Sequence, residues 1–259
     1  MKKSMQGAFL LLLAALLLTI QVTATTNATS WYTVRNKAHK QPVFGNDLSF
    51  VEEYNAFFID HAHTDLEQEK VVYLTFDAGY ENGNVAKTLD ILKQKEVKGA
   101  FFVLKHMILA NADLVLRMQN EGHTVCNHTA HHPDLSTASK ERILGELREL
   151  EGSYAELTGK EMAKFFRPPE GKFSREMLQT VSEAGYKTIF WSFAYADWDN
   201  ERQLSPQKAL QCIMDNIHNG AVILLHPTSK TNVTVLPTVI DELKVQGYRF
   251  GTLEELCGA

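Results

Sequence analysis

From residue 71 onward, apolar and polar positions follow two alternating rhythms. Short, mostly apolar runs rich in branched and aromatic residues read as strands: Val71–Phe76, Ala100–Leu104, His123–Asn127, Phe165–Arg167, Lys187–Trp191, Ala221–Leu225 and Tyr248–Phe250. Most are separated by stretches with apolar residues three and four apart. Asn84–Glu96 places Val85, Leu89 and Leu92 on one face, and Ala112–Asn120 closes at Gly122. Ser139–Leu157 aligns Ile143, Leu147, Leu150, Tyr154 and Leu157 before Gly159. Ser174–Ala184 ends at Gly185, Pro206–His218 has proline in its first turn and Gly220 behind it, and Val233–Val245 precedes Gly247. Repeated strand–helix units predict an α/β fold whose parallel sheet is covered on both faces, in one domain. Upstream, residues 31–70 are irregular, punctuated by Pro42 and Gly45, with a short helix expected within Phe50–Ile59.

The first 24 residues stand apart. Lys2 and Lys3 precede an apolar run from Ala8 to Ile20, and Val22-Thr23-Ala24 has the small residues of a cleavage site. This predicts an export signal over residues 1–24. The run falls short of the roughly 20 residues that span a bilayer; an uncleaved anchor is the alternative. Without Lys2 and Lys3, 24 basic residues face 31 acidic ones, a net charge of −7. An acidic exported domain lacks the basic stripe of a nucleic-acid binder, and no membrane contact is expected beyond the signal segment. Three widely spaced cysteines, Cys126, Cys212 and Cys257, make no disulfide framework, so the fold rests on its core.

Parallel α/β folds collect their chemistry at the carboxyl ends of the strands. Here these ends carry Asp77, then Asn127 and His128 followed by His131 and His132, then Arg167, then Asp197 and Trp198 a few residues past their strand, then His226. Five units delivering charged or titratable groups to one face is more than a scatter of structural charges produces. In HTAHH, His128 and His132 converge if the loop before Pro133 turns tightly, which suits a divalent cation; a polar loop with exposed histidines is the alternative. Asp77 is a candidate general base held ionised by Arg167, and His226 a candidate general acid oriented by Asp197. Structural ion pairs are the competing reading of each pair. A second candidate pair, His61 and His63 in DHAHTD, would fit an amidohydrolase-type barrel but lacks a strand before it.

TFDAG, HTAHH, RPPEG, Asp197-Trp198 and LLH occur in this order. Together they resemble the five motifs of the polysaccharide deacetylases, the NodB-homology domains of carbohydrate esterase family 4. The resemblance covers residues 71 to about 255 and implies a distorted (β/α)7 barrel that removes acetyl groups from N-acetylated sugars with a divalent metal, zinc first and cobalt or manganese as alternatives. It assigns Asp77 as base, His128 and His132 as metal ligands, His226 as acid, Arg167 and Asp197 as their tuning partners, and Leu224 and Trp198 as walls of the acetyl pocket, with Tyr80 beside it.

One position departs from that pattern: the second aspartate of the first motif, which completes the family's metal triad, is Ala78 here. Tyr80, Glu81 and Asn82 are candidates to replace it, and Ala78 is expected to leave room for a bulky sugar. A subgroup resembling the delta-lactam-biosynthetic deacetylases shares this departure, together with TFDAGYENGN, NHTAHHPDLS and an upstream WYTVRNKAHKQP. That likeness implies N-acetylmuramic acid in the glycan strand of peptidoglycan as substrate, at the cell-wall side of the membrane or in the spore intermembrane space, during cortex formation. Deacetylation of N-acetylglucosamine and an inactive peptidoglycan-binding protein are the alternatives. The expected organisation is a signal over 1–24, an extension over 25–70 and the deacetylase domain over 71–259.

Overall fold

The computed structural model describes residues 28–42, 48–64 and 66–258, so the predicted signal segment lies outside the described residues. The elements in chain order are β1 (Thr29–Ser30), a 3-10 turn at Ser49–Tyr54, β2 (Ala56–Phe57), β3 (Lys70–Ala78), α1 (Val85–Gln94), β4 (Ala100–Val103), α2 (Lys105–Ala110), α3 (Ala112–Asn120), β5 (Thr124–Asn127), α4 (Lys140–Thr158), β6 (Phe165–Phe166), β7 (Lys172–Phe173), α5 (Arg175–Glu183), β8 (Lys187–Ile189), α6 (Pro206–Met214), β9 (Ala221–Leu225), α7 (Lys230–Val245), β10 (Tyr248–Phe250) and α8 (Leu253–Leu256).

The nine-residue β3 is the centre of the sheet. β9 runs parallel along Val72–Phe76 and β4 along Thr75–Ala78, while β10 flanks Lys70–Val72. From β4 the sheet continues, all parallel, through β5, β6 and β8 to β2. Beyond β8 the chain meets β9 through the bridge Phe193–Ile223, where the Leu224 N–H donates to the Phe193 carbonyl at 2.9 Å. The sheet therefore curls back on itself, and the fold is the expected distorted (β/α)7 barrel.

Strand alternation sorts the side chains into two layers. Val71, Tyr73, Phe102, Cys126, Phe165, Ile189 and Val222, drawn from six strands, form an interior cluster plugged by Leu253 and Leu256 of α8. The opposite parity of β3 (Val72, Leu74, Phe76, Ala78) joins helix residues such as Val85, Leu89 and Leu92 in the outer core. Asp77, at the end of the interior parity, must therefore face the mouth of the barrel.

Three local expectations change. The segment expected as a helix at Phe50–Ile59 is instead the 3-10 turn followed by β2, because pairing with Thr188–Ile189 of β8 overrides local preference. α2 was not expected; its six residues, KHMILA, are too few to show a periodicity. α7 begins at Lys230, three residues earlier than read, under a Ser229 cap, and carries Pro237 in its interior. The described part of the 25–70 extension is built into the fold. β1 pairs antiparallel with β7, and Trp31 is buried against Phe58 and Phe190. Among the described residues no helix is long and apolar enough to cross a membrane.

Candidate active site

Asp77 and Arg167 form the foundation of the site. Arg167 is fully buried, and an unpaired guanidinium there would be prohibitively costly. Its donors are instead distributed with care. Nη1 donates to Asp77 Oδ1 at 2.8 Å, Nε to the Ile189 carbonyl at 2.9 Å, and Nη2 to Thr75 Oγ1 at 2.9 Å and the Phe190 carbonyl at 3.2 Å. Its Cζ lies over the Phe102 ring, 4.2 Å from the ring centre. Burial alone would raise the pKa of Asp77. The charge of Arg167, helped by His128 and His226, outweighs burial and holds the carboxyl below its ordinary range.

The HTAHH loop folds as tightly as convergence requires. Thr129 and His132 both take left-handed backbone angles, φ 73° and 59°, a conformation uncommon for side chains of this kind. The turn is held by the Thr129 N–H donating to Asn127 Oδ1 and the His132 N–H donating to Thr129 Oγ1, each at 2.9 Å. Asn127 is itself anchored, donating to the Leu147 carbonyl and the Tyr186 hydroxyl. The two imidazoles stand edge to face with ring centres 5.0 Å apart. His128 Nδ1 lies 2.8 Å from the Arg167 carbonyl. A carbonyl only accepts, so Nδ1 carries the proton and Nε2 presents a lone pair. Burial pushes this imidazole down to about 4 and so keeps it neutral at neutral pH. Its Nε2 faces Asp77 Oδ2 at 3.6 Å. Two electron-rich atoms turned toward one another across that gap make an environment suited to a cation, and His132 adds a second nitrogen. His131 turns away, its N–H donating to Glu146 Oε2 at 2.9 Å.

On the other wall, His226 Nδ1 lies 2.7 Å from Asp197 Oδ1, and the His226 N–H donates to Oδ2 at 2.8 Å. Burial would lower the pKa of His226, but the Asp197 carboxylate overrides it and the imidazole is held above its ordinary value. Asp197 is buried and also accepts from Asn232 Nδ2, while Asn232 Oδ1 accepts from the Tyr195 hydroxyl.

These groups surround one cavity of about 780 Å³, lined by Asp77, His128, His132, His226, Leu224 and Trp198 among others. Leu224 is buried at its floor, while Trp198 is 63% exposed at its edge. Thus eight of the nine site residues expected from sequence meet in one place. Tyr80 does not line the cavity; it is exposed, and its hydroxyl accepts from Asn200 Nδ2 at 2.8 Å.

Nor does any neighbour take over the missing third ligand. Glu81 accepts the Val85 N–H and Asn82 donates to the Thr228 carbonyl, each at 2.9 Å. Among the described residues no three histidine, cysteine, aspartate or glutamate side chains form a cation cage. The expected room over Ala78 is also absent. Strand parity points Ala78 into the outer core, and Leu104 closes over Gly79, where an added Cβ would come within 2.9 Å of its Cδ1. His61 and His63 belong to the opposite end of the barrel, paired with Glu52 and Asp60. The amidohydrolase alternative therefore has no site.

Sequence reasoning missed Thr75, Trp191, Thr33, Glu170 and Asn232. Thr75 lies inside β3 and Asn232 in the first turn of α7, while Trp191 and Glu170 closely follow β8 and β6; in each case only the spatial neighbours reveal the part it plays.

The sequence model of the family described as Polysaccharide deacetylase matches residues 65–189. Over 228 residues the chain is 39% identical to the peptidoglycan-N-acetylmuramic acid deacetylase PdaA of Bacillus subtilis, covering 88% of this chain and 85% of that protein. It is 33% identical over 194 residues to a peptidoglycan-N-acetylglucosamine deacetylase of Bacillus cereus, covering 73% and 88%. The solved structure of Bacillus subtilis PdaA, a family 4 carbohydrate esterase, superposes with a TM-score of 0.84 at 38% identity, covering 89% of this chain and 97% of that one. With the strand-end acid–base pairs in place on the same fold, this chain belongs to the polysaccharide deacetylases of carbohydrate esterase family 4.

Proposed function

We propose that this protein hydrolyses the N-acetyl group of N-acetylmuramic acid in peptidoglycan. The observation that carries the reading is a pair of oppositely tuned groups in one cavity: Asp77 held toward its ionised form by Arg167, and His226 drawn toward its protonated form by Asp197.

In this reading Asp77 takes a proton from the attacking water as its oxygen bonds to the acetyl carbon. His226 gives a proton to the departing nitrogen as the carbon–nitrogen bond breaks. The products are acetate and a free amine. Arg167 orients Asp77 through the Oδ1 bond, leaving Oδ2 toward the cavity. Asp197 fixes the His226 tautomer, leaving Nε2 as the atom that meets the leaving group. Leu224 and Trp198 enclose the acetyl methyl. His128 and His132 hold a divalent cation, with zinc the best match to two imidazoles and cobalt or manganese as substitutes. When bound, such a cation polarises the acetyl oxygen and makes water more acidic.

Similarity to PdaA over most of both chains supports the muramic substrate, and with it action at the cell-wall side of the membrane; a place in the chemistry that precedes muramic lactam formation in spore cortex is part of the same proposal. Residues 1–24 then serve as the export signal, 71–259 as the catalytic domain and 25–70 as an extension that completes its walls. The test is incubation with purified peptidoglycan fragments and added Zn²⁺ or Co²⁺, followed by mass spectrometry of the separated sugars. Loss of acetyl from muramic acid is expected. Loss from glucosamine alone would transfer the reading to that sugar, and no loss from either would leave a binding protein.

A further inference from the structure

The upstream segment WYTVRNK is absorbed only in part by the catalytic cavity. Its residues alternate as an extended chain does. Trp31 is buried, Tyr32 and Val34 are exposed, and Thr33 lines the cavity. The next residue of the inward parity, Arg35, lines a second cleft of about 460 Å³ together with Lys37, Lys208, Gln211, Cys212, Asp215 and Asn216. Two residues span at most about 7 Å, so this cleft adjoins the mouth of the cavity.

Its charge is unusual for so acidic a chain. Lys37 is matched by Asp215 at 3.0 Å. Arg35 has no carboxylate partner among the described residues; its Nη1 donates to Cys212 Sγ at 3.1 Å. Lys208, in the first turn of α6, has no side-chain partner among the described residues either. A guanidinium fork resting on a thiol leaves the donors that fit a carboxylate free, and two unmatched cations beside the cavity create a local attraction for an anion against the overall negative field.

We infer that Arg35 and Lys208 form a carboxylate-binding subsite for the muramic residue next along the glycan strand. This rests on the proposed muramic substrate. Each such sugar carries an acid, either the lactyl carboxylate itself or, where a peptide is attached, the peptide's carboxylates. A strand of N-acetylglucosamine alone offers neither.

The test compares the full chain with the double variant R35E/K208E on three polymers: peptide-stripped glycan, peptide-bearing glycan, and stripped glycan with its carboxylates methyl-esterified. Affinity is measured by calorimetry in EDTA, which prevents turnover, and KM by acetate release with metal present. The expected result is a loss of affinity of about tenfold in the variant, the scale of one charge-assisted contact. The loss should occur on the free-acid polymers, with little change on the esterified one. Sensitivity on stripped glycan assigns the lactyl acid; sensitivity on peptide-bearing glycan alone assigns the peptide. Equal affinity of both proteins for every polymer, or an equal loss on the esterified polymer, overturns the subsite. Absence of acetate release by the unaltered chain overturns the proposed reaction instead, and the affinities still decide the subsite.

Discussion

A single carboxylate at the end of β3 is where strand parity, burial and chemistry coincide. Asp77 is almost enclosed, yet it stays ionised because Arg167, equally enclosed, satisfies it and is itself satisfied by two carbonyls and a hydroxyl. Replacement by asparagine keeps the shape and removes the base. Asp77→Asn should lower kcat by about two to four orders of magnitude, while near-ultraviolet circular dichroism stays that of the native fold. Full turnover in that variant would remove Asp77 from the reaction. His226 makes a complementary prediction through pH. Its imidazole is held above its ordinary value by Asp197, so the proton it donates is kept to higher pH than an ordinary histidine keeps it. Asp197→Asn removes the charge that raises it. The alkaline limb of the kcat profile should then move to lower pH, and kcat at neutral pH should fall. The acid limb, set by Asp77, should stay in place.

At the scale of elements, the strands that carry the site were legible because each ends an apolar run, and a parallel sheet buried on both faces must be written that way. His128, Arg167 and His226 could be placed from the sequence for that reason. Trp31 could not. It lies in a segment without periodicity, and nothing local shows that β1 pairs with β7, that the Trp31 N–H donates to the Gly171 carbonyl at 2.8 Å, or that its indole Nε1 donates to the Trp191 carbonyl at 2.8 Å. Asn232 was hidden in the same way, in the first turn of a helix whose packing against Asp197 exists only in three dimensions. Ala78 shows the reverse. Its motif drew attention to the cavity, but the pleat turns it into the outer core. The β1 segment is therefore a wall rather than a tail. Trp31 stacks on Phe190 with ring centres 4.4 Å apart, and Gly171, at φ 67°, passes so close that a Cβ would meet both Trp191 and Trp31. Trp31→Ala should cost about 3–5 kcal/mol, seen as a fall in Tm of about 10 °C for a chain of this size. Its exposed neighbour offers the control: Tyr32→Ala should shift stability by no more than about 0.5 kcal/mol.

Part of the whole molecule's sensitivity to acid belongs to a histidine far from the cavity, beside the share of the buried His128 within it. His123 precedes β5, is 6% exposed, and packs edge-on against Phe101 with ring centres 5.3 Å apart. Its Nδ1 accepts the Gly99 N–H at 3.2 Å, so the proton sits on Nε2, which has no partner among the described residues. Burial, with Lys98 adding to it, pushes this imidazole down to about 4. In the unfolded chain the same side chain titrates near 6.5. Above that value neither state is protonated and His123 makes no pH-dependent contribution. Between about 6.5 and 4 the unfolded chain takes up a proton that the native protein refuses, so stability falls as pH falls through this window. Below about 4 both states are protonated and the loss levels off near 3 kcal/mol, a large share of the roughly 5–15 kcal/mol that holds a protein together. Phenylalanine fits the same edge-on contact and has nothing to protonate. His123→Phe removes the acceptor of the Gly99 N–H, so the urea midpoint should be lower at pH 8, but it should fall less between pH 8 and pH 4.5 than that of the unaltered chain. Parallel midpoint curves for the two proteins across that window would show that acid sensitivity originates elsewhere in the molecule.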